Sequence, residues 1–133
     1  MAKIAIVTGA SRGLGRGIAK VLAEEESATV YATARSEEAL NELASSIEKG
    51  KGVIHPFVLD QTDDDAVEDF VSKVSGKEKK IDVLVNSSYG GLTAIAPHFG
   101  KPFWERPISV FDASINIGLR SAYVMSAFVA PHM

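Results

Sequence analysis

Three glycines, packed within seven residues just after a buried-strand signal, constrain this chain more than any other feature. They stand in Lys3-Ile4-Ala5-Ile6-Val7-Thr8-Gly9-Ala10-Ser11-Arg12-Gly13-Leu14-Gly15. The run Ile4 to Val7 reads as a strand buried on both faces, and Leu14, Ile18, Val21 and Leu22 then recur at helical spacing. Strand, glycine turn and helix in that order aim unpaired N–H groups, and the positive end of a helix dipole, at the space above the strand end. Glycine lets the backbone approach a pyrophosphate with no side chain in the way. A glycine turn can also do no more than join a strand to a helix, so the rest of the chain has to decide.

The chain has 133 residues, enough for one domain with a real core, and a single domain over 1–133 is expected. It is 46% hydrophobic and 23% charged with net charge −3, and has no basic stripe of the kind that binds nucleic acid. There is no cysteine, which removes disulfides and thiolate metal sites. The first strand begins too early for a signal peptide to precede it, and no apolar run reaches membrane-spanning length. The expectation is a soluble, cytoplasmic protein.

Along the chain, a helix from Gly13 to about Glu25 should bury Leu14, Ile18, Val21 and Leu22. A strand follows over Ala28–Ala34, then a helix capped by Ser36 that runs to near Lys49. Residues 52–60 hold a third strand in two pieces interrupted by Pro56. Thr62 is expected to cap a helix with Val67, Phe70, Val71 and Val74 on one face. The aspartates of its first turn suit the helix dipole better than a metal. Lys77-Glu78-Lys79-Lys80 reads as a solvated loop and Ile81–Val85 as a fourth strand. A long loop, 86–106, precedes a helix starting near Pro107 or Ser109, with Ser109 and Asp112 spaced as a capping box, and ending near Ala130. Alternating strands and helices predict an α/β fold, a parallel sheet with helices on both faces, in strand order 3-2-1-4. His55, His98 and His132 are isolated in sequence and suggest no mechanism.

The strict G-x-G-x-x-G spacing is absent. What stands from Thr8 to Gly15 is T-G-x-x-x-G-x-G, which resembles the signature of the short-chain dehydrogenase/reductases, a Rossmann-type family of three-layer α/β/α domains. After the second strand comes Ala34-Arg35-Ser36, with no acidic residue at the position that holds the ribose of NAD. Arg35 there can pair with the 2′-phosphate of NADP through its planar fork. The resemblance places Arg12 near the same group, Asp60 beside the adenine ring and Asn86 where the family has Asn-Asn-Ala-Gly. Here that run is Asn86-Ser87-Ser88-Tyr89-Gly90. Tyr89 matches a subgroup with tyrosine where most members have glycine. Asn116, expected inside a helix where asparagine is intrinsically unfavourable, resembles the family asparagine that orders a water in a proton relay. The resemblance thus implies NADP held by Gly9, Ser11, Arg12, Gly13, Leu14, Gly15, Arg35, Asp60 and Asn86, with Asn116 in the catalytic relay. It also implies hydride transfer to a small-molecule carbonyl compound. Phe103 and Trp104 are expected to pack on the sheet rather than line an entrance.

Family catalysis needs a tyrosine with a lysine four residues later, since an unaided phenol near pKa ~10 is a poor acid at neutral pH. Tyr31, Tyr89 and Tyr123 are followed at that spacing by Arg35, Thr93 and Ala127. The sequence stops at Met133, before the family's fifth strand, so an N-terminal cofactor half is expected. Two readings stay open: a carbonyl reductase represented by this half, or a catalytically inactive NADP(H)-binding module such as a truncated isoform or pseudoenzyme. An uncovered fourth strand would also favour homo-oligomers.

Overall fold

The computed structural model describes residues 1–133. Four strands form one parallel sheet: β1 (Ile4–Val7), β2 (Thr29–Ala34), β3 (Val53–Val58) and β4 (Val83–Val85), in the expected order β3-β2-β1-β4. Side chains alternate across a strand, so β1 feeds two cores at once. Ile4 and Ile6 meet Val67, Phe70, Val71, Val74, Met125 and Val129 on one face, and Ala5 and Val7 meet Ala19, Ala23, Leu40 and Leu43 on the other. The first core lies under α3 (Asp64–Glu78) and α6 (Ser121–Val129), the second under α1 (Gly13–Glu24) and α2 (Glu37–Ser45).

The interface of α1 differs from the expectation. Gly15, Ala19 and Ala23 are the buried residues, while Leu14 is 74% and Val21 54% exposed. Small residues at i, i+4 and i+8 let the helix lie close over a sheet face that is itself rich in alanine (Ala5, Ala32). The larger apolar side chains are rotated outward, with Ile18 and Leu22 half-buried at the flank.

Several boundaries move for local reasons. Ser36 caps α2 as expected, its Oγ accepting from the Ala39 N–H at 3.3 Å. The helix ends at Ser45 rather than near Lys49, because the Ser45 and Ser46 hydroxyls turn back onto the carbonyls of Asn41 and Leu43. β3 is continuous through Pro56. The N–H groups of Val53 and Leu59 donate to the carbonyls of Ala28, just before β2, and Ala34, at its end, so the N–H positions of even-numbered residues, Pro56 among them, face the free edge. Asp63, not Thr62, caps α3, with the Ala66 N–H donating to Oδ1 at 3.0 Å. Lys77 and Glu78 belong to α3 rather than to a solvated loop. β4 begins at Val83, two residues later than expected.

The stretch 86–106 is not one loop, since it contains α4 (Gly91–Ile95) and single 3-10 turns at Ala96–His98 and Phe103–Glu105. Phe103 and Trp104 pack edge-to-face on each other at 5.4 Å and stand exposed, instead of packing on the sheet. The final helix is in three parts. α5 (Ile108–Ala113) starts after Pro107 with no side-chain cap, so Ser109 and Asp112 form no capping box. A π-helical segment, Ser114–Arg120, then leads into α6, which ends at Val129.

Candidate functional site

The site is built where β1, β2 and β4 end together. Thr8 is its hinge pin. Its N–H donates to the Val85 carbonyl at 2.9 Å, and its buried Oγ1 accepts from the N–H groups of Ser87 (3.0 Å) and Ser88 (3.2 Å). One residue therefore ties the glycine turn to the exit of β4. On the other side the Ala10 N–H donates to the Thr33 carbonyl at 3.0 Å, tying the turn to the end of β2.

The three glycines have separate jobs. Gly9 has φ +62°, and a Cβ there would lie 2.5 Å from the Ser87 carbonyl oxygen. A Cβ on Gly15 would run into the Gly9 carbonyl, so these two glycines allow the turn to close. Gly13, with φ +57°, has nothing within 4 Å of its Cβ position. Its space is open, at the first residue of a 12-residue helix that no side chain caps and that has no acidic residue in its first turn. Free N–H groups, positive dipole end and unobstructed backbone suit an anion.

The expected side chains are placed unevenly around this opening. Leu14 is beside it and exposed, and Ser11 is half-buried in the turn. Arg12 reaches across to the far wall, its Nη2 donating to Thr93 Oγ1 on α4 at 3.4 Å. Arg35 lies at the end of β2, close enough that its charge helps hold the Asp60 carboxyl below the usual carboxylate range. The main causes of that depression are the Thr62 hydroxyl and N–H, both donating to Asp60 Oδ1, at 2.7 and 2.9 Å. The structure does not gather the two arginines onto one partner. Asn86 Nδ2 donates to Ser126 Oγ at 3.0 Å and so anchors the β4 exit to α6. Asn116 is exposed and sits in the middle of the π-helical segment.

Two polar groups that sequence reasoning passed over lie at the same ends of the strands. The Thr33 hydroxyl and the Gln61 amide nitrogen are buried without a hydrogen-bond partner, the first at the end of β2, the second next to Asp60. Buried polar groups are nearly always paired, so two orphans here fit a site built for a polar ligand. The shallow apolar hollow of about 490 Å³ along α1, lined by Leu14, Ile18, Val21 and Leu22, offers no such group.

A parallel sheet in this order, with a glycine turn leading into the helix after its first strand, defines a Rossmann-type nucleotide fold. Residues 3–133 match the short chain dehydrogenase family model, and the chain belongs to that family of oxidoreductases, whose cofactors are nicotinamide dinucleotides and whose substrates are small molecules. Among similar proteins, dehydrogenase/reductase SDR family member 1 of Mus musculus is 40% identical over 129 residues, covering 96% of this chain and 41% of that protein. The 7alpha-hydroxysteroid dehydrogenase of Clostridium sardiniense is 35% identical, covering 98% and 48%. The crystal structure of a metagenomic short-chain oxidoreductase in complex with NADP superposes with a TM-score of 0.81 at 31% identity, covering 98% of this chain and 56% of that one. The chain thus spans about half the length of the relatives it matches. No helix is long and apolar enough to cross a membrane.

Proposed function

We propose that this chain is the NADP(H)-binding Rossmann domain of a short-chain reductase that reduces a small carbonyl compound by hydride transfer in the cytoplasm. The observation that carries the cofactor choice is the end of β2, where Ala34-Arg35-Ser36 brings a guanidinium and no carboxylate. A carboxylate there would repel a 2′-phosphate, while an arginine pairs with it. The N–H groups of Gly13, Leu14 and Gly15 would receive the pyrophosphate, with Gly9 and Ser11 shaping the turn. Arg12 would leave Thr93, a long and exposed contact, for a phosphate. Asp60 keeps Oδ2 free of hydrogen bonds for the adenine side, and Asn86 supports the nicotinamide side. The bound cofactor would supply the hydride. Asn116, exposed in the π-helical segment whose Ile117 and Gly118 lie against Gly90 and Tyr89, would order water for proton delivery.

A second reading stays beside the first, since within residues 1–133 none of Tyr31, Tyr89 and Tyr123 has a lysine four residues on. On that reading the chain binds NADP(H) without turnover. Fluorescence titration with NADPH and NADH tests the cofactor claim, with Arg35→Asp as the reversing variant. The expected result is preference for NADPH by about tenfold or more, a difference of about 1.4 kcal/mol, lost in Arg35→Asp. Equal affinities in the unmodified chain would overturn it. NADPH oxidation by the purified chain with carbonyl substrates would decide against the inactive-module reading.

A further inference from the structure

Tyr89 leaves the exit of β4 and enters a slot in the π-helical segment. A Cβ on Gly118 would lie 3.1 Å from its Cδ2 and 3.5 Å from its Cε2, so the half-exposed ring rests directly on this glycine and would have to give by a few tenths of an ångström for a methyl group. A Cβ on Gly91 would collide with the Tyr89 hydroxyl and lie 2.7 Å from Ser114 Oγ. Two glycines from two elements clear room for one ring. The hydroxyl is 3.3 Å from Ser114 Oγ, and Ser114 already donates its own proton to the Val110 carbonyl at 2.9 Å. Tyr89 is therefore the donor to Ser114. From the far end of the segment, the Ser121 hydroxyl donates to the carbonyls of Ile117 and Gly118.

A π-helix over seven residues is rare, and such stretches concentrate at functional sites. Here it is clamped at Ser114 and Gly118 by Tyr89 and at its end by Ser121, and Asn116 lies between the clamps. Removing one residue of π register turns one flank against the other by about 100° about the helix axis. Met125 and Val129 pin α6 in the core, whereas α5 has no buried residue, so the turn would fall on α5 and the stretch holding Asn116.

We propose that Tyr89 is a positioning residue that holds 114–120 in π register and thereby sets where Asn116 stands at the site. The inference rests on the role proposed for Asn116. The test is amide NMR of the isotope-labelled chain, with and without NADPH. In Tyr89→Ala the backbone 13Cα signals of 114–120, which report backbone conformation rather than the lost ring current, should leave their native positions while those of β1 and α1 stay. Tyr89→Phe, which keeps the ring in its slot, should restore most of them. The NADPH-induced shift at Asn116 should persist in Tyr89→Phe and vanish in Tyr89→Ala, an effect that lost stability alone would not confine to one segment. Unmoved 114–120 signals in folded Tyr89→Ala would overturn the proposal. If that variant does not fold, Tyr89→Leu, which fills part of the space without the ring, asks the same question from outside the segment: displaced Asn116 13Cα signals support the proposal and unchanged ones refute it. Failure of the unmodified chain to bind NADPH would refute the cofactor reading alone, because the 114–120 signals decide the role of Tyr89 separately.

Discussion

Gly9, Gly13 and Gly15 share one turn and answer to different neighbours. Gly9→Ala should cost about 2–4 kcal/mol in urea unfolding, since it combines a left-handed backbone with a collision against the Ser87 carbonyl. Gly13→Ala carries only the backbone penalty, about 1–2 kcal/mol. Its methyl group would nevertheless stand in the opening over the helix N-terminus, so NADPH affinity should fall at least about tenfold. Unchanged affinity in Gly13→Ala would place the pyrophosphate elsewhere. The fingerprint itself is legible in the sequence, because strand, glycines and helix are adjacent. The division of labour is not, because it depends on the backbone at Ser87, far along the chain. Thr8 was visible only as the first letter of the motif; its hydrogen bonds to Ser87 and Ser88 come from the same distant segment.

Elements were read well where the hydrophobic period had one solution, and poorly where two faces competed. Val67, Phe70, Val71 and Val74 are buried on α3 as their spacing predicts. On α1 the larger side chains suggested one stripe, and the small ones formed the interface. The end of α3 shows what charge patterning misses. Glu78 accepts a hydrogen bond of 2.6 Å from the buried Tyr31 hydroxyl, Lys77 sits 5.5 Å over the Tyr31 ring, and His55 on β3 stacks against it at 5.0 Å. His55 is thus not isolated. Burial, aided by the Lys77 charge and opposed by Glu78, holds its imidazole below the usual range. A lowered histidine pKa means the unfolded chain binds that proton more readily, so the stability it contributes is present above about pH 6.5 and lost as pH falls through that region. Asp60, Asp64 and Asp82 are lowered chiefly by hydrogen bonds from Thr62, Arg120 and Lys80, and act in the same direction below about pH 4. Urea midpoints measured against pH should decline in two stages, and His55→Phe should remove the first. A His55→Phe profile identical to that of the unmodified chain would contradict this account.

At the scale of the molecule, the strand order was readable from alternation and the glycine turn, which together leave few topologies. Not readable was how α4, α5 and the π-helical segment arrange the approach to the site, because short helices and a π register have no simple sequence period. The order β3-β2-β1-β4 gives the sheet two edges of different character. β4 pairs only with β1, and Val83, Leu84 and Val85 are each only half-buried. The chain of residues 1–133 should therefore self-associate through β4, and sedimentation velocity at increasing concentration should show a dimer. A monomer that melts cooperatively at every concentration would count against this. The opposite edge has Pro56, whose missing donor faces outward and interrupts any incoming ladder. An object with one adhesive side and one blunted side can clasp a single twin and then has nothing left to offer. Self-recognition by such a chain should then close at a pair and not grow into a fibre.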